Sequence, residues 1–328
     1  MKFNLRFIVT LLAVGLALST ALFAHAQEVP WPSKPLRIVV GFPPGQSSDI
    51  IARLYAVELS KSLGQPVTID NKPGAGATLA AEFAARSPAD GYTIYYGSSG
   101  PLAIAPHLYT KLKYQPLRDF EPVGTGGIVP MLLMVSANSP YKTIGEVIAA
   151  GRNENGSTIN YGSAGSGGTS HLAMELFKTA SGTKYTHVPY KGSVQSLTDL
   201  VGNNIQVALD TTGAAMPLIR SGNLRALAVG TSFRLPDMPN VPTIAESLPG
   251  FEATAWGMFL VPKGTPELIV KRLNAEFENV NAMPTIKEKL STQGIVVSNR
   301  RASELKQFME RELVTWGKAV KESGATVD

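Results

Sequence analysis

A strand–loop–helix pattern occurs twice in the chain, once in each half, and it restricts the fold more than any other feature. The apolar run Leu36 to Val40 gives way to Gly41-Phe42-Pro43-Pro44-Gly45-Gln46-Ser47-Ser48-Asp49, and helical periodicity follows at once. Thr158 to Tyr161 leads into Gly162-Ser163-Ala164-Gly165-Ser166-Gly167-Gly168-Thr169-Ser170, again ahead of a helix. A helix N-terminus leaves about four N–H donors without intrahelical partners and carries roughly half a positive charge, so such loops attract anions. Two of them facing each other would clamp a small carboxylate.

Strands and helices alternate along most of the chain. Ile50, Ile51, Leu54, Val57 and Leu63 recur at helical spacing, and Gly64 with Pro66 stops that helix. Val67–Asp70 reads as a strand, Thr78–Arg86 as a helix and Tyr92–Tyr96 as a strand. Thr143 and Glu146 have the spacing of a capping box. Beyond the second loop the pattern gives a helix to about Ala180, a strand at Tyr185–Val188, a helix at Ser193–Val201 and a strand at Ile205–Asp210. A helix near Ala214–Ser221 and a strand at Leu224–Val229 complete the series. This order predicts an α/β fold with parallel sheets and helices on both faces. Thr265-Pro266-Glu267 reads as N-cap, first-turn proline and acidic first turn of one late helix, and Ser303 to Glu322 forms another. These two late helices present apolar faces that cover a surface and offer no ligand chemistry. Pattern breaks at Gly124–Pro130 and Pro249–Ala255 predict two crossovers between lobes: 28–127 with 251–328 as lobe 1, and 128–250 as lobe 2. A two-strand hinge of that kind permits closure around a ligand.

The first 26 residues read as a secretory leader: Lys2 and Arg6, an apolar run from Phe7 to Phe23, then Ala24-His25-Ala26 as a cleavage site. The expectation is an exported, periplasmic chain processed after about Ala26, with no later membrane span. Some 300 residues suit two lobes better than one core. The chain has no cysteine, which excludes disulfides and thiol chemistry. Without Lys2 and Arg6, 28 basic residues face 25 acidic ones in no concentrated run, so nothing points to nucleic acid.

A series of short motifs resembles the Bug family, the periplasmic solute-binding proteins of tripartite tricarboxylate transporters. In order they are Trp31-Pro32-Ser33-Lys34-Pro35, Pro43-Pro44-Gly45 with Asp49, Asn71-Lys72-Pro73-Gly74-Ala75-Gly76 and Pro88-Ala89-Asp90-Gly91-Tyr92. Tyr161-Gly162-Ser163-Ala164-Gly165 with Gly167, His171-Leu172-Ala173 and Val188-Pro189-Tyr190-Lys191-Gly192 follow. Leu224 to Val229, Val241-Pro242-Thr243 and Pro262 with Gly264-Thr265-Pro266 close the series. The resemblance implies a two-lobed periplasmic-binding-protein fold of the class II type with its ligand cleft between the lobes. It implies a small organic carboxylate as ligand (dicarboxylate, acidic amino acid or aromatic acid) and the permease subunits of a tripartite transporter as partners. Many relatives have Gly-Gly where this chain has Gly45-Gln46; the glutamine adds an amide donor and acceptor and takes up room beside the carboxylate.

The residues themselves suggest the contacts. Phe42 is a candidate cleft wall; Gly45, Gln46, Ser47 and Ser48 offer donors at the first helix N-terminus, while Asp49 orders the loop. Ser98 and Ser99 follow a strand at the edge where parallel sheets hold ligands. In the second loop Ser163, Ser166, Gly167 and Thr169 supply hydroxyls or N–H groups, and Asp210 ends a strand as an acceptor or as a helix cap. His171 and Glu175 stand one helical turn apart without a third metal ligand nearby, and no nucleophile elbow or phosphate-binding motif is present. The expectation is therefore a monomeric, non-enzymatic carrier without cofactor or metal. A ligand-sensing co-receptor is the alternative, and a periplasmic hydrolase a weaker one.

Overall fold

The first strand, β1 (Leu36–Val40), is buried at every residue but Arg37, as its unbroken apolar run requires for a strand covered on both faces. In the computed structural model the described residues are 31–152, 159–298 and 300–325. The expected leader and Thr158 lie outside them. Every element named below belongs to one compact unit, Lys34–Asp328.

Helix α1 (Ser47–Leu63) follows β1 and ends at Gly64 in the left-handed conformation; β2 (Val67–Asn71), α2 (Thr78–Ala85) and β3 (Thr93–Ser98) follow. A π-helical turn, Gly100–Ile104, runs into the short helices α3 (Ala105–Leu108) and α4 (Pro116–Asp119). Then comes β4 (Phe120–Ser136), the longest strand. The next segment holds α5 (Ile144–Arg152), β5 (Asn160–Ser163), α6 (Thr169–Ser181), β6 (Thr186–Pro189) and α7 (Ser193–Val201). It continues with β7 (Val207–Thr211), α8 (Thr212–Arg220) and β8 (Leu224–Val229). Strand β9 (Thr254–Pro262) and helices α9 (Glu267–Ala282), α10 (Pro284–Ser291) and α11 (Ala302–Ser323) finish the chain.

The sheet order is β2-β1-β3-β9-β4-β7-β5-β6, with β8 also paired to β4. β1, β2 and β3 are parallel, as are β5, β6 and β7, but β4, β8 and β9 run antiparallel to their neighbours. The sheet is therefore mixed where the alternation of elements predicts a parallel one. β4 joins the two halves: Phe120 to Pro130 pair with β9, and from Met131 onward it pairs with β7 and β8. The expected break at Gly124–Pro130 is thus continuous strand, with bulges taking up the irregular residues.

Alternation along β4 feeds two cores. Met131, Leu133 and Val135 meet Tyr161 and Phe177 on one face, while Leu132 and Met134 meet Leu197 and Leu200 on the other. Tyr95, Leu102, Trp256, Phe308 and Trp316 centre the core of the first half, and Leu172 of α6 packs into it. Full burial of each large side chain contributes about 1.5–3 kcal/mol. Helix α9 starts one residue later than the sequence suggests: Pro266 takes the cap position and the Thr265 hydroxyl donates to the Pro262 carbonyl. Among the described residues no helix is long and apolar enough to cross a membrane.

Candidate ligand-binding site

The first loop is held by one buried carboxylate. Pro43 and Pro44 stiffen it, and Gly45 turns it with φ +86°, a region that favours glycine. Asp49, inside the first turn of α1, accepts from Gly45 N–H at 2.9 Å and Arg53 Nε at 2.8 Å through Oδ2, and from Asn71 Nδ2 at 2.9 Å through Oδ1. Asn71 Nδ2 also donates to the Phe42 carbonyl, so β2 pins the loop from outside. Burial pushes the Asp49 carboxyl up, but the hydrogen bonds from Arg53, Gly45 and Asn71 and the Arg53 charge outweigh it and hold it below its usual range. Gln46 caps α1 through its backbone, with no side-chain cap bond. Ser47 and Ser48 lie in the first turn, and their hydroxyls make no hydrogen bond among the described residues. The N–H groups of Ser47, Ser48 and Asp49 carry no hydrogen bond among the described residues.

The second loop runs from β5 to α6, whose cap is Gly168. The N–H groups of Thr169, Ser170 and His171 are likewise without partners among the described residues. Two expected donors turn inward, however. Ser163 is fully buried; its Oγ lies 2.7 Å from His187 Nε2 and also bonds the carbonyl and N–H of Gly165. The Gly167 N–H donates to His171 Nδ1 at 3.0 Å. Behind the loop the rings of His171 and His187 stack at 3.9 Å and Tyr161 stacks on His187 at 4.8 Å. Glu175 accepts from the Tyr161 hydroxyl and pairs with Lys178 at 2.8 Å, so it is spent as a metal ligand. Burial and the neighbouring His171 push His187 down to about 4, and burial lowers His171 as well. Among the described residues no cluster of metal-ligating side chains occurs.

The two halves meet around these loops. Ser99 Oγ, fully buried after β3, lies 3.2 Å from Thr169 Oγ1. A Cβ on Gly213, in the first turn of α8, would stand 2.1 Å from Ser47 Oγ, and one on Gly192, the cap of α7, 3.8 Å from Gln46 Nε2. Four helix N-termini, those of α1, α6, α7 and α8, thus converge. Phe42, Ser48 and Ser98 are half-buried beside them, while Gly45 and Ser166 lie exposed at the loop tips. Asp210 does not cap α8, whose cap is Thr211; it accepts from Ser193 Oγ–H at 3.0 Å and Thr211 N–H at 2.6 Å. Sequence reasoning missed Gly192-Ser193 and Thr211-Thr212-Gly213, although each follows a strand and opens a helix as the two recognised loops do. Two surface cavities of about 400 and 350 Å³, one beside Arg37 and Arg86 and one beside Arg225 and Met238, lie away from the loops.

A family profile described as the tripartite tricarboxylate transporter family receptor matches residues 51–325. BugT of Bordetella pertussis is 34% identical over 318 residues, 96% of this chain and 97% of its own. A solved R. palustris protein with adipate superposes with a TM-score of 0.84 at 36% identity, over 90% of this chain and 99% of that one. The periplasmic binding protein BugD gives a TM-score of 0.81 at 32% identity, over 90% and 99%. MatC from Rhodopseudomonas palustris with bound malate gives 0.80 at 34% identity, over 88% and 100%. The fold is accordingly the two-lobed α/β fold of periplasmic binding proteins.

Proposed function

We propose that this chain, which belongs to the tripartite tricarboxylate transporter receptor family, captures a small organic carboxylate between two lobes and delivers it to membrane permease subunits. Lobe 1 comprises 28–127 with 251–328 and lobe 2 comprises 128–250. The change of pairing partners along β4 at Pro130 to Met131, and the start of β9 at Thr254, support that division. The chain is exported, loses its leader after about Ala26 and acts as a monomer.

The observation that carries the reading is the pair of unpartnered helix N-termini, α1 from one lobe and α6 from the other, with Ser99 after β3 lying 3.2 Å from Thr169 at the start of α6. No cation lies in either loop, so the anion is held by neutral donors and escapes the desolvation cost of a buried unpaired ammonium or guanidinium. Hydrogen bonds to a charged acceptor contribute about 1.5–3 kcal/mol each and a helix terminus about 0.3–2 kcal/mol. Four or five such terms, less the ordering costs, reach the ~8 kcal/mol of micromolar affinity. Ser47, Ser48 and the Asp49 N–H hold one carboxylate beside the Gln46 side-chain amide; Thr169 and Asp210 read the remainder, with Ser98, Ser99 and Ser166 at the margin and Phe42 as a wall. Ser163 and Gly167 shape the second loop from behind. The adipate and malate bound by two similar structures support a di-acid or hydroxy-acid ligand.

A thermal-shift panel tests this. Protein unfolded and refolded to shed any carried-over ligand is screened against carboxylates, each beside its amide. A bound acid stabilises the fold by about 2.7 kcal/mol at a hundredfold excess over Kd and so raises the melting temperature, and its amide does not. No shift with any acid, or equal shifts with acid and amide, would overturn the reading.

A further inference from the structure

Asp210 at the end of β7 carries an oxygen with nothing to hold. The residue is 2% exposed, and both of its hydrogen bonds, from Ser193 and Thr211, go to Oδ1. Oδ2 is buried without a hydrogen-bond partner, and no ion pair reaches it among the described residues. Its place is specific. Ser193 opens α7 next to Gly192, and Thr211 caps α8 two residues before Gly213. Gly192 and Gly213 are positions where an added Cβ would come within 3.8 Å of Gln46 Nε2 and 2.1 Å of Ser47 Oγ. The carboxyl is therefore bonded to residues beside two places where lobe 2 approaches the carboxylate-holding loop.

A buried acceptor is normally paired, and one left unpaired lowers stability. The helix N-termini on either side of Asp210 supply anion-binding donors; burial pushes the carboxyl up while the hydrogen bonds from Thr211 and Ser193 pull it back, and an anion brought against Oδ2 of the ionised carboxyl would be repelled. The missing group is a donor carried by the ligand. Resting on the carboxylate reading above, we infer that Asp210 Oδ2 accepts a hydrogen bond from a hydroxyl or ammonium on the ligand, which makes the ligand a hydroxy- or amino-substituted acid and Asp210 the residue that selects it. A site built to bond a substituent rejects the analogue without it more sharply than a hydrophobic pocket rejects a missing methylene, because its polar group is then left buried and unpaired.

Calorimetric titration of matched acids reads this directly: succinate, malate and aspartate; glutarate, 2-hydroxyglutarate and glutamate; phenylacetate, mandelate and phenylglycine. In whichever series binds, one substituted member should bind at least about tenfold tighter than the plain acid, and which one does so distinguishes hydroxyl from ammonium. Asp210→Asn retains an oxygen for Ser193 and Thr211, and should bring that ratio within about threefold while the plain acid's affinity changes little. The ratio in the unaltered protein stands as a test even if the variant folds poorly. A plain acid binding as tightly as its substituted partners overturns this inference and leaves the carboxylate reading intact. Failure of all the acids to bind overturns both.

Discussion

Replacing Gly213 with alanine separates ligand affinity from fold stability. Gly213 lies in the first turn of α8, and an added Cβ would meet Ser47 Oγ at 2.1 Å and Ser47 Cβ at 3.2 Å. The hydroxyl can rotate away, but the second contact still requires α1 and α8 to separate by a few tenths of an ångström. Overpacking of this kind costs about 1–3 kcal/mol. On the proposed hinge closure it applies only when the lobes are together, so it falls on the liganded state and weakens binding about 5- to 150-fold. The fold itself gains: alanine is better than glycine in a helix by up to about 1 kcal/mol. Thermal unfolding without ligand should therefore rise by about 2 °C while titration shows the lost affinity. Wild-type affinity in Gly213→Ala, or a parallel fall in affinity and stability, would refute closure at this contact.

Three further outcomes are expected. His187 is held down to about 4, and His171 is lowered too, so the native protein takes up these protons at lower pH than the unfolded chain, which protonates near the ordinary 6.5. Stability is then fully present above about pH 6.5 and declines as pH falls towards about 4, by up to about 3 kcal/mol from His187; urea unfolding across that range measures it, and His187→Asn should flatten the slope. Ser163→Ala strands His187 Nε2 and the Gly165 N–H, so it should lower stability by about 1–3 kcal/mol in chemical denaturation, with affinity affected only through a looser second loop. Gln46→Gly removes the side chain nearest Gly192; titration with acids from succinate to pimelate should show the preferred acid weakened about fivefold and the optimum moved to a longer chain.

The parts legible in the sequence are those where local pattern and tertiary demand agree. β1, α7 and β8 stand where their periodicity puts them, because their apolar faces are the ones the sheet and its helices cover. The loops ahead of α1 and α6 were visible because small residues between an apolar run and a helix have few other uses. β4 was not, since Gly124, Gly126, Gly127 and Pro130 read as a break. At Gly124 and Gly126 the rings of Phe277 and Tyr96, and at Gly127 the Val296 carbonyl, lie against the strand closer than a Cβ would allow, a demand made by residues distant in sequence. The inward turn of Ser163 was hidden for the same reason: it depends on His187, brought beside Tyr161 by strand pairing. Asp49 as an organiser of its loop followed from charge alone, whereas the empty valence of Asp210 needed the fold.

The central claim is that a carboxylate sits on the N-termini of α1 and α6. Titrating labelled protein with the acid found by thermal shift, and following backbone amide resonances, addresses that claim residue by residue. The amides of Ser47, Ser48, Asp49, Thr169 and Ser170 should shift downfield as they take up hydrogen bonds to the anion, with Gly192 and Gly213 perturbed beside them. Shifts gathered instead around the surface cavity at Arg37 and Arg86, with the loop amides unmoved, would contradict it.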